Sequence, residues 1–100
     1  MCGIAGIITK SNKRAAIEKM LYTQQHRGPD HTGFYEEESC IYLGHNRLSI
    51  IDLSPEANQP FADKNGRYQL VFNGEIYNYI ELRERLKDLY DFITQSDTEV

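Results

Sequence analysis

The segment that constrains this chain most is its first, Met1-Cys2-Gly3-Ile4-Ala5-Gly6-Ile7-Ile8-Thr9. From Cys2 to Thr9 it is short, apolar and almost without alternation, the pattern of a strand buried on both faces. Gly3 and Gly6 let neighbouring backbone come close. The fold must therefore take the start of the chain into itself, and a thiol with it. If Met1 is removed, Cys2 carries both that thiol and a free α-amine. A free thiol titrates near about 8.5 and an α-amine near about 8, close enough for a proton to pass between them at neutral pH. Such a residue is nucleophile and base in one, like a threonine activated by its own amine. Taken alone, Cys2 reads more simply as a small apolar residue opening a strand. Other segments have to decide.

At 100 residues the chain is at most one small domain, and its 40% apolar and 26% charged content is that of a soluble globular protein. The net charge of −4, with no basic cluster, points away from nucleic acid and anionic membrane surfaces as partners. No apolar stretch reaches the ~20 residues that span a bilayer, and the N-terminus lacks the basic start of a signal peptide. A cytoplasmic, reducing compartment is expected. Cys2 and Cys40 sit in no metal-ligand spacing, and His26, His31 and His45 are scattered, so no metal site is expected.

Along the chain, Ser11 or Asn12 can cap a helix running to about Gln25, with Ile17, Met20 and Leu21 as its apolar stripe. His26-Arg27-Gly28-Pro29-Asp30 breaks it. Strands are expected near Gly33–Glu37 and Cys40–Leu48, joined through the acidic run Glu36-Glu37-Glu38. In the second, Ile41, Leu43, His45 and Arg47 share one face. A polar loop follows from about Asp52 to Gly66, then a strand from Tyr68 to Phe72. Asn78 and Glu81 stand at capping-box spacing before a second helix striped by Leu82, Leu86 and Leu89, with Glu81 and Arg85 four apart as an ion pair. A short strand, Asp91–Thr94, comes next. Ser96-Asp97-Thr98-Glu99 is another capping signature, and with no helix behind it the sequence is expected to stop inside its domain. Cys40 reads as a core residue and His45 as structural.

Polar groups gather at the ends of apolar strands, where loops present functional side chains. Arg47 closes a strand, and its fork suits bidentate capture of a carboxylate, though taken alone a surface or structural ion-pair arginine is the plainer use. Asn73-Gly74-Glu75 offers a side-chain amide beside a glycine N–H, two converging donors for an oxyanion, or else a simple turn. Asp97 can take a ligand ammonium or merely complement a helix start. Together they describe a receptor for an α-amino acid with a reactive side-chain carbonyl.

The same residues carry a family likeness. Met1-Cys2-Gly3-Ile4-Ala5-Gly6, Arg27-Gly28-Pro29-Asp30, Arg47-Leu48-Ser49-Ile50-Ile51-Asp52-Leu53, Ala57 with Gln59-Pro60, Asn73-Gly74-Glu75-Ile76-Tyr77-Asn78 and Ser96-Asp97-Thr98-Glu99-Val100 follow in order across the chain. In this the chain resembles the N-terminal glutaminase domain of glutamine-dependent asparagine synthetases, a class II glutamine amidotransferase domain. Related glutaminases share the leading cysteine and the Asn-Gly pair but differ after the matching arginine. Length is the one departure, since the family's domain continues past this sequence and a synthetase domain follows it.

The resemblance implies an α+β fold of the N-terminal nucleophile hydrolase type, a four-layer αββα sandwich of antiparallel sheets, of which residues 1–100 supply the first half. It implies hydrolysis of glutamine through a thioester on Cys2, with Asn73 and Gly74 holding the oxyanion. Arg47 would grip the substrate α-carboxylate and Asp97 its α-ammonium, with Leu48, Ser49, Ile50, Ile51 and Glu75 lining the pocket. Arg27-Gly28-Pro29-Asp30 would shape a loop beside the nucleophile. The ammonia would pass to the synthetase domain of the same chain, where ATP and Mg²⁺ activate aspartate; no cofactor is expected in residues 1–100. A homodimer is among the assemblies the family allows. Two other readings stay open: an amidotransferase for another carboxylate acceptor, such as a surface polysaccharide, and a non-catalytic module.

Overall fold

The computed structural model describes residues 1–100 and is α+β, with antiparallel sheets. Strand β1 (Gly3–Ile8), helix α1 (Arg14–Thr23) and the hairpin of β2 (His31–Glu37) and β3 (Ile41–Arg47) make its body. The sheet order is β1-β3-β2, so β3 is central, with Gly3 opposite Asn46 on one side and His31 opposite Arg47 on the other. Continuing the first ladder by one step sets Cys2 against Arg47. The hairpin turns at Glu38 and Ser39, both in the left-handed region at φ 49° and 56°. Glu36 and Glu37 belong to β2 itself rather than to the turn.

Period-two alternation gives β3 two jobs. Tyr42 and Asn46 face α1: the Tyr42 hydroxyl accepts from the Lys13 N–H (3.2 Å), and Asn46 Nδ2 donates to the Leu21 carbonyl (2.6 Å). On this side Ala5, Ile17, Leu21 and Tyr42 form the core, with Ile7 and Phe34 packed against it. Fully burying a side chain such as Ile17 contributes about 1.5–3 kcal/mol, so this small cluster carries much of the hydrophobic stabilisation. The other face carries Leu43, His45 and Arg47, and its Arg47 end opens onto the cavity described below. β1 is not buried on both faces as its composition suggests. Gly3 and Ala5 are covered by α1, whereas Ile4 and Ile8 on the opposite side are 44% and 87% exposed.

The remaining expectations meet the structure unevenly. α1 ends at Thr23, and Lys13 stands at its N-cap, while Asn12 Oδ1 takes the Arg14 N–H (3.0 Å) one step further in. Beyond the sheet lie a 3-10 turn at Pro55–Ala57, β4 (Phe61–Ala62) paired with β5 (Gln69–Leu70), and helix α2 (Tyr79–Leu86). The strand expected from Tyr68 to Phe72 is thus two residues long, because Tyr68 N–H goes to Asp63 Oδ1 and Phe72 N–H to Gln59 Oε1. No strand forms at Asp91–Thr94: the Glu99 carboxylate takes the N–H groups of Ile93 and Thr94 (both 2.8 Å).

Asn78 makes no side-chain cap, and Glu81–Arg85 is not an ion pair; instead Arg83 lies over the Phe92 ring (4.3 Å) and donates to the Ser96 carbonyl. Leu89 falls outside the helix and is 83% exposed. Cys40 is not core; it sits half-buried at the hairpin, its thiol directed to the Glu37 carbonyl (3.5 Å). Both cysteines are free thiols.

Candidate active site

A cavity of about 350 Å³ opens at the Arg47 end of the sheet. It draws its wall from four places: the N-terminus, the end of β3 and its loop, the 72–75 turn, and the closing turn at Asp97–Glu99. Cys2, Arg47, Leu48, Ile50, Ile51, Asn73, Gly74, Glu75 and Asp97 all line it. Ser49, expected with them, does not; its N–H is used to bind Asp30 Oδ2 (2.8 Å), outside the cavity.

The sulfur of Cys2 is set by backbone. The Leu48 N–H donates to Sγ at 3.3 Å, and the Leu48 carbonyl lies 3.8 Å from it. Arg27 Nε donates to the Cys2 carbonyl (3.1 Å), which holds the residue from behind. The Arg27-Gly28-Pro29-Asp30 loop is thereby a clamp between Cys2 and the β3 end. Asp30 N–H bonds the Arg47 carbonyl (3.0 Å), its carboxylate takes Ser49, and Gly28 lies flat against the strand. A Cβ at Gly28 would overlap the Asn46 carbonyl oxygen and stand 2.7 Å from the Arg47 carbonyl carbon. Glycine is required there by space.

Arg47 is buried and largely committed. Nη1 donates to the Ser54 carbonyl and to Asn58 Oδ1 (both 2.8 Å), and Nη2 to the Asp52 carbonyl. Of five guanidinium donors, two remain for a ligand. The loop from Asp52 to Asn58 is in effect wrapped on this side chain. Asp52 ties it further, accepting from Ser54 N–H (2.7 Å) and Gln95 N–H (2.6 Å). Ser54's hydroxyl and N–H, then the Gln95 N–H, hold the Asp52 carboxyl below its ordinary value of 3.8.

The 72–75 turn has no regular structure and is suspended from side chains. Gln59 Oε1 accepts the Phe72 N–H (2.6 Å), the Phe72 carbonyl accepts from His45 Nε2 (3.2 Å), and Asp97 Oδ2 accepts the Ile76 N–H (2.8 Å). Between these anchors, the Asn73 side-chain amide and the Gly74 N–H donate to no group of the chain. Asp97, 6% exposed, keeps its other oxygen unengaged, and the Ser96 hydroxyl caps its turn through the Thr98 N–H (3.1 Å).

His45, Asp52, Ala57, Gln59, Tyr77, Ser96 and Thr98 also line the cavity without having been singled out as site residues. All of them except His45 stand inside the motifs quoted above, but nothing in the motifs marks them as lining residues. The cavity carries a cation and an anion on its rim, free donors in its turn and sulfur at its edge. No group of three or more His, Cys, Asp or Glu residues could hold a metal ion, and no helix is long and apolar enough to cross a membrane.

An antiparallel sheet delivering an N-terminal thiol to such a cavity fits the comparisons with known proteins. The chain belongs to the glutamine amidotransferase domain family, which it matches over residues 1–100. It is similar, at 43% identity over 107 residues, to glutamine-hydrolyzing asparagine synthetase 1 of Bacillus subtilis (strain 168), covering all of this chain and 17% of that protein. It is 39% identical over 121 residues to a putative glutamine-hydrolyzing asparagine synthetase 1 of Methanocaldococcus jannaschii, covering all of this chain and 22% of that one. It is also 39% identical over 114 residues to amidase chry2 of Gibberella zeae, again all of this chain and 17% of the relative. The chain thus spans about a fifth of the length of these relatives.

Proposed function

We propose that these residues form the nucleophile half of the glutaminase site of an asparagine synthetase, releasing ammonia from glutamine. One observation carries the reading: Cys2, Arg47, Asn73-Gly74 and Asp97 line a single cavity. Met1 also lines it, so its removal both frees the α-amine of Cys2 and clears the mouth. The amine takes the thiol proton, directly or through one water, and Sγ attacks the side-chain carbonyl carbon of glutamine. The oxygen gains the negative charge and receives hydrogen bonds from Asn73 and the Gly74 N–H. The α-ammonium of Cys2 returns the proton to the leaving nitrogen, ammonia departs, and water resolves the thioester to glutamate. Asp97 and the two open donors of Arg47 hold the substrate's charged end.

In this reading the fold completes to the four-layer sandwich, with the uncovered face of Ile4 and Ile8 as the side on which the second sheet lies. A synthetase domain of the same chain supplies ATP and Mg²⁺ sites, residues 1–100 need no cofactor, and the compartment is the cytoplasm. Mass spectrometry and a glutaminase assay of the full-length protein test the core of the proposal. Loss of Met1 should accompany activity, and Cys2→Ser should abolish it. Full activity behind an uncleavable N-terminal tag refutes the amine-as-base step. Similarity to an amidase supports a second reading, in which the ammonia goes to an acceptor other than aspartate. Assay with aspartate, ATP and glutamine separates them, because absence of asparagine favours the second.

A further inference from the structure

We propose that His45 is a positioning residue for the oxyanion donors, holding the Phe72 carbonyl so that the following turn presents the Asn73 amide and the Gly74 N–H. The inference rests on the glutaminase reading above. His45 is fully buried at the centre of the sheet, its backbone paired with Ile4 on one side and Gly33 on the other. Its Nε2 lies 3.2 Å from the Phe72 carbonyl oxygen, an acceptor only, so Nε2 carries the proton and donates it.

The peptide plane links what His45 touches to what reacts. The Phe72 carbonyl and the Asn73 N–H belong to one rigid plane, so fixing the oxygen fixes how the chain enters Asn73. Gln59 holds the N–H of Phe72 from the other side (2.6 Å), and Asp97 holds Ile76 (2.8 Å). Only His45 acts on the plane adjoining Asn73. Without it that carbonyl loses its partner, the plane is free to rotate, and the two donors lose their common aim.

The same geometry argues against an acid–base role. Nε2 is committed to backbone, and Nδ1 is buried with no hydrogen-bond partner. Neither nitrogen is free to shuttle a proton.

Full-length protein carrying His45→Leu and His45→Gln tests this. The glutamine amide nitrogen can occupy the place of Nε2; leucine removes the donor. Leucine should lower the glutaminase kcat by about 10²-fold, the scale of a lost or misplaced oxyanion donor, with the KM for glutamine nearly unchanged. Glutamate γ-semialdehyde, which adds to Cys2 as a tetrahedral hemithioacetal, should lose affinity in parallel with kcat, while inhibition by glutamate stays as it was. Gln should recover most of both. If the leucine variant does not fold, His45→Asn, whose amide is too short to reach Phe72, takes its place with the same expected losses. Wild-type kcat in a folded leucine or asparagine variant, a loss confined to KM, or a Gln variant no better than Leu overturns the proposal. A wild-type protein that hydrolyses no glutamine overturns the glutaminase reading itself, and this inference with it.

Discussion

Gly28→Ala isolates the clamp that joins Cys2 to the end of β3. At Gly28 the backbone, at φ −151°, is one that alanine adopts freely, so any cost comes from space. The new methyl would meet the Asn46 carbonyl group and stand 2.7 Å from the Arg47 carbonyl carbon, against an ordinary contact of 3.4 Å or more. Strand or loop must therefore give by at least about 0.7 Å, since these are backbone atoms that no rotamer change can move aside. If the strand yields, the Leu48 N–H shifts from the sulfur it holds at 3.3 Å; if the loop yields, Arg27 loses its 3.1 Å bond to the Cys2 carbonyl. Either way the thiol moves relative to the Arg47 end of the sheet. Overpacking of this kind costs about 1–3 kcal/mol of stability. A misplacement near 1 Å costs up to about 10²-fold in rate, so a 10- to 100-fold loss of glutaminase kcat is expected. Gly66→Ala is the matched control: φ is +67° with nothing within 4 Å, so it should cost about 1 kcal/mol through backbone strain and leave kcat alone. Thermal melts and steady-state assays of the full-length variants read both quantities. A Gly28→Ala protein that melts and turns over like wild type refutes the clamp.

Tyr42→Phe removes the acceptor of the Lys13 N–H on the helix side of β3 and should cost about 1 kcal/mol in urea unfolding with kcat unchanged. Burial, partly offset by the bond to Phe72, holds His45 below its ordinary 6.5. The folded protein thus keeps it neutral where the unfolded chain takes a proton, and stability should fall as the pH drops below about 6.5. Urea midpoints at pH 7.5 and 5.5 should show that loss in wild type and less of it in His45→Gln. The Asp52 carboxyl is lowered in the same direction and so has the same sign in stability: its contribution stands at neutral pH and is lost as acid passes 3.8 and then its depressed folded value. Asp52→Asn should remove that acid-side slope while lowering stability at pH 7.

Local patterning in the sequence is enough to find β1, α1, the β2–β3 hairpin and α2, because each is an apolar run or stripe bounded by turn or capping signals, although the burial of β1 and the end of α2 differ from that pattern. It was also enough for the site's charged and amide groups, which stand at the ends of those runs. Errors arose where side chains compete for backbone N–H groups. Glu99 takes Ile93 and Thr94 out of a strand, and Gln59 and Asp63 shorten the one after Gly66. No periodicity records such a competition, since it depends on residues brought together by the fold. The sequence leaves Arg47 between a carboxylate fork and a structural arginine; three of its donors bind the Asp52–Asn58 loop, a fact that only the tertiary structure holds. His45 was set aside as structural for the same reason: its partner, Phe72, lies 27 residues away.

The antiparallel pairing of Gly3 with Asn46 works as a ruler for the residues ahead of Ile4. Side chains along a strand alternate, so inserting or deleting one residue ahead of Ile4 would turn the sulfur toward α1 and away from its guanidinium neighbour. In the glutaminase reading such a one-residue slip leaves the sheet intact and yields an inert protein.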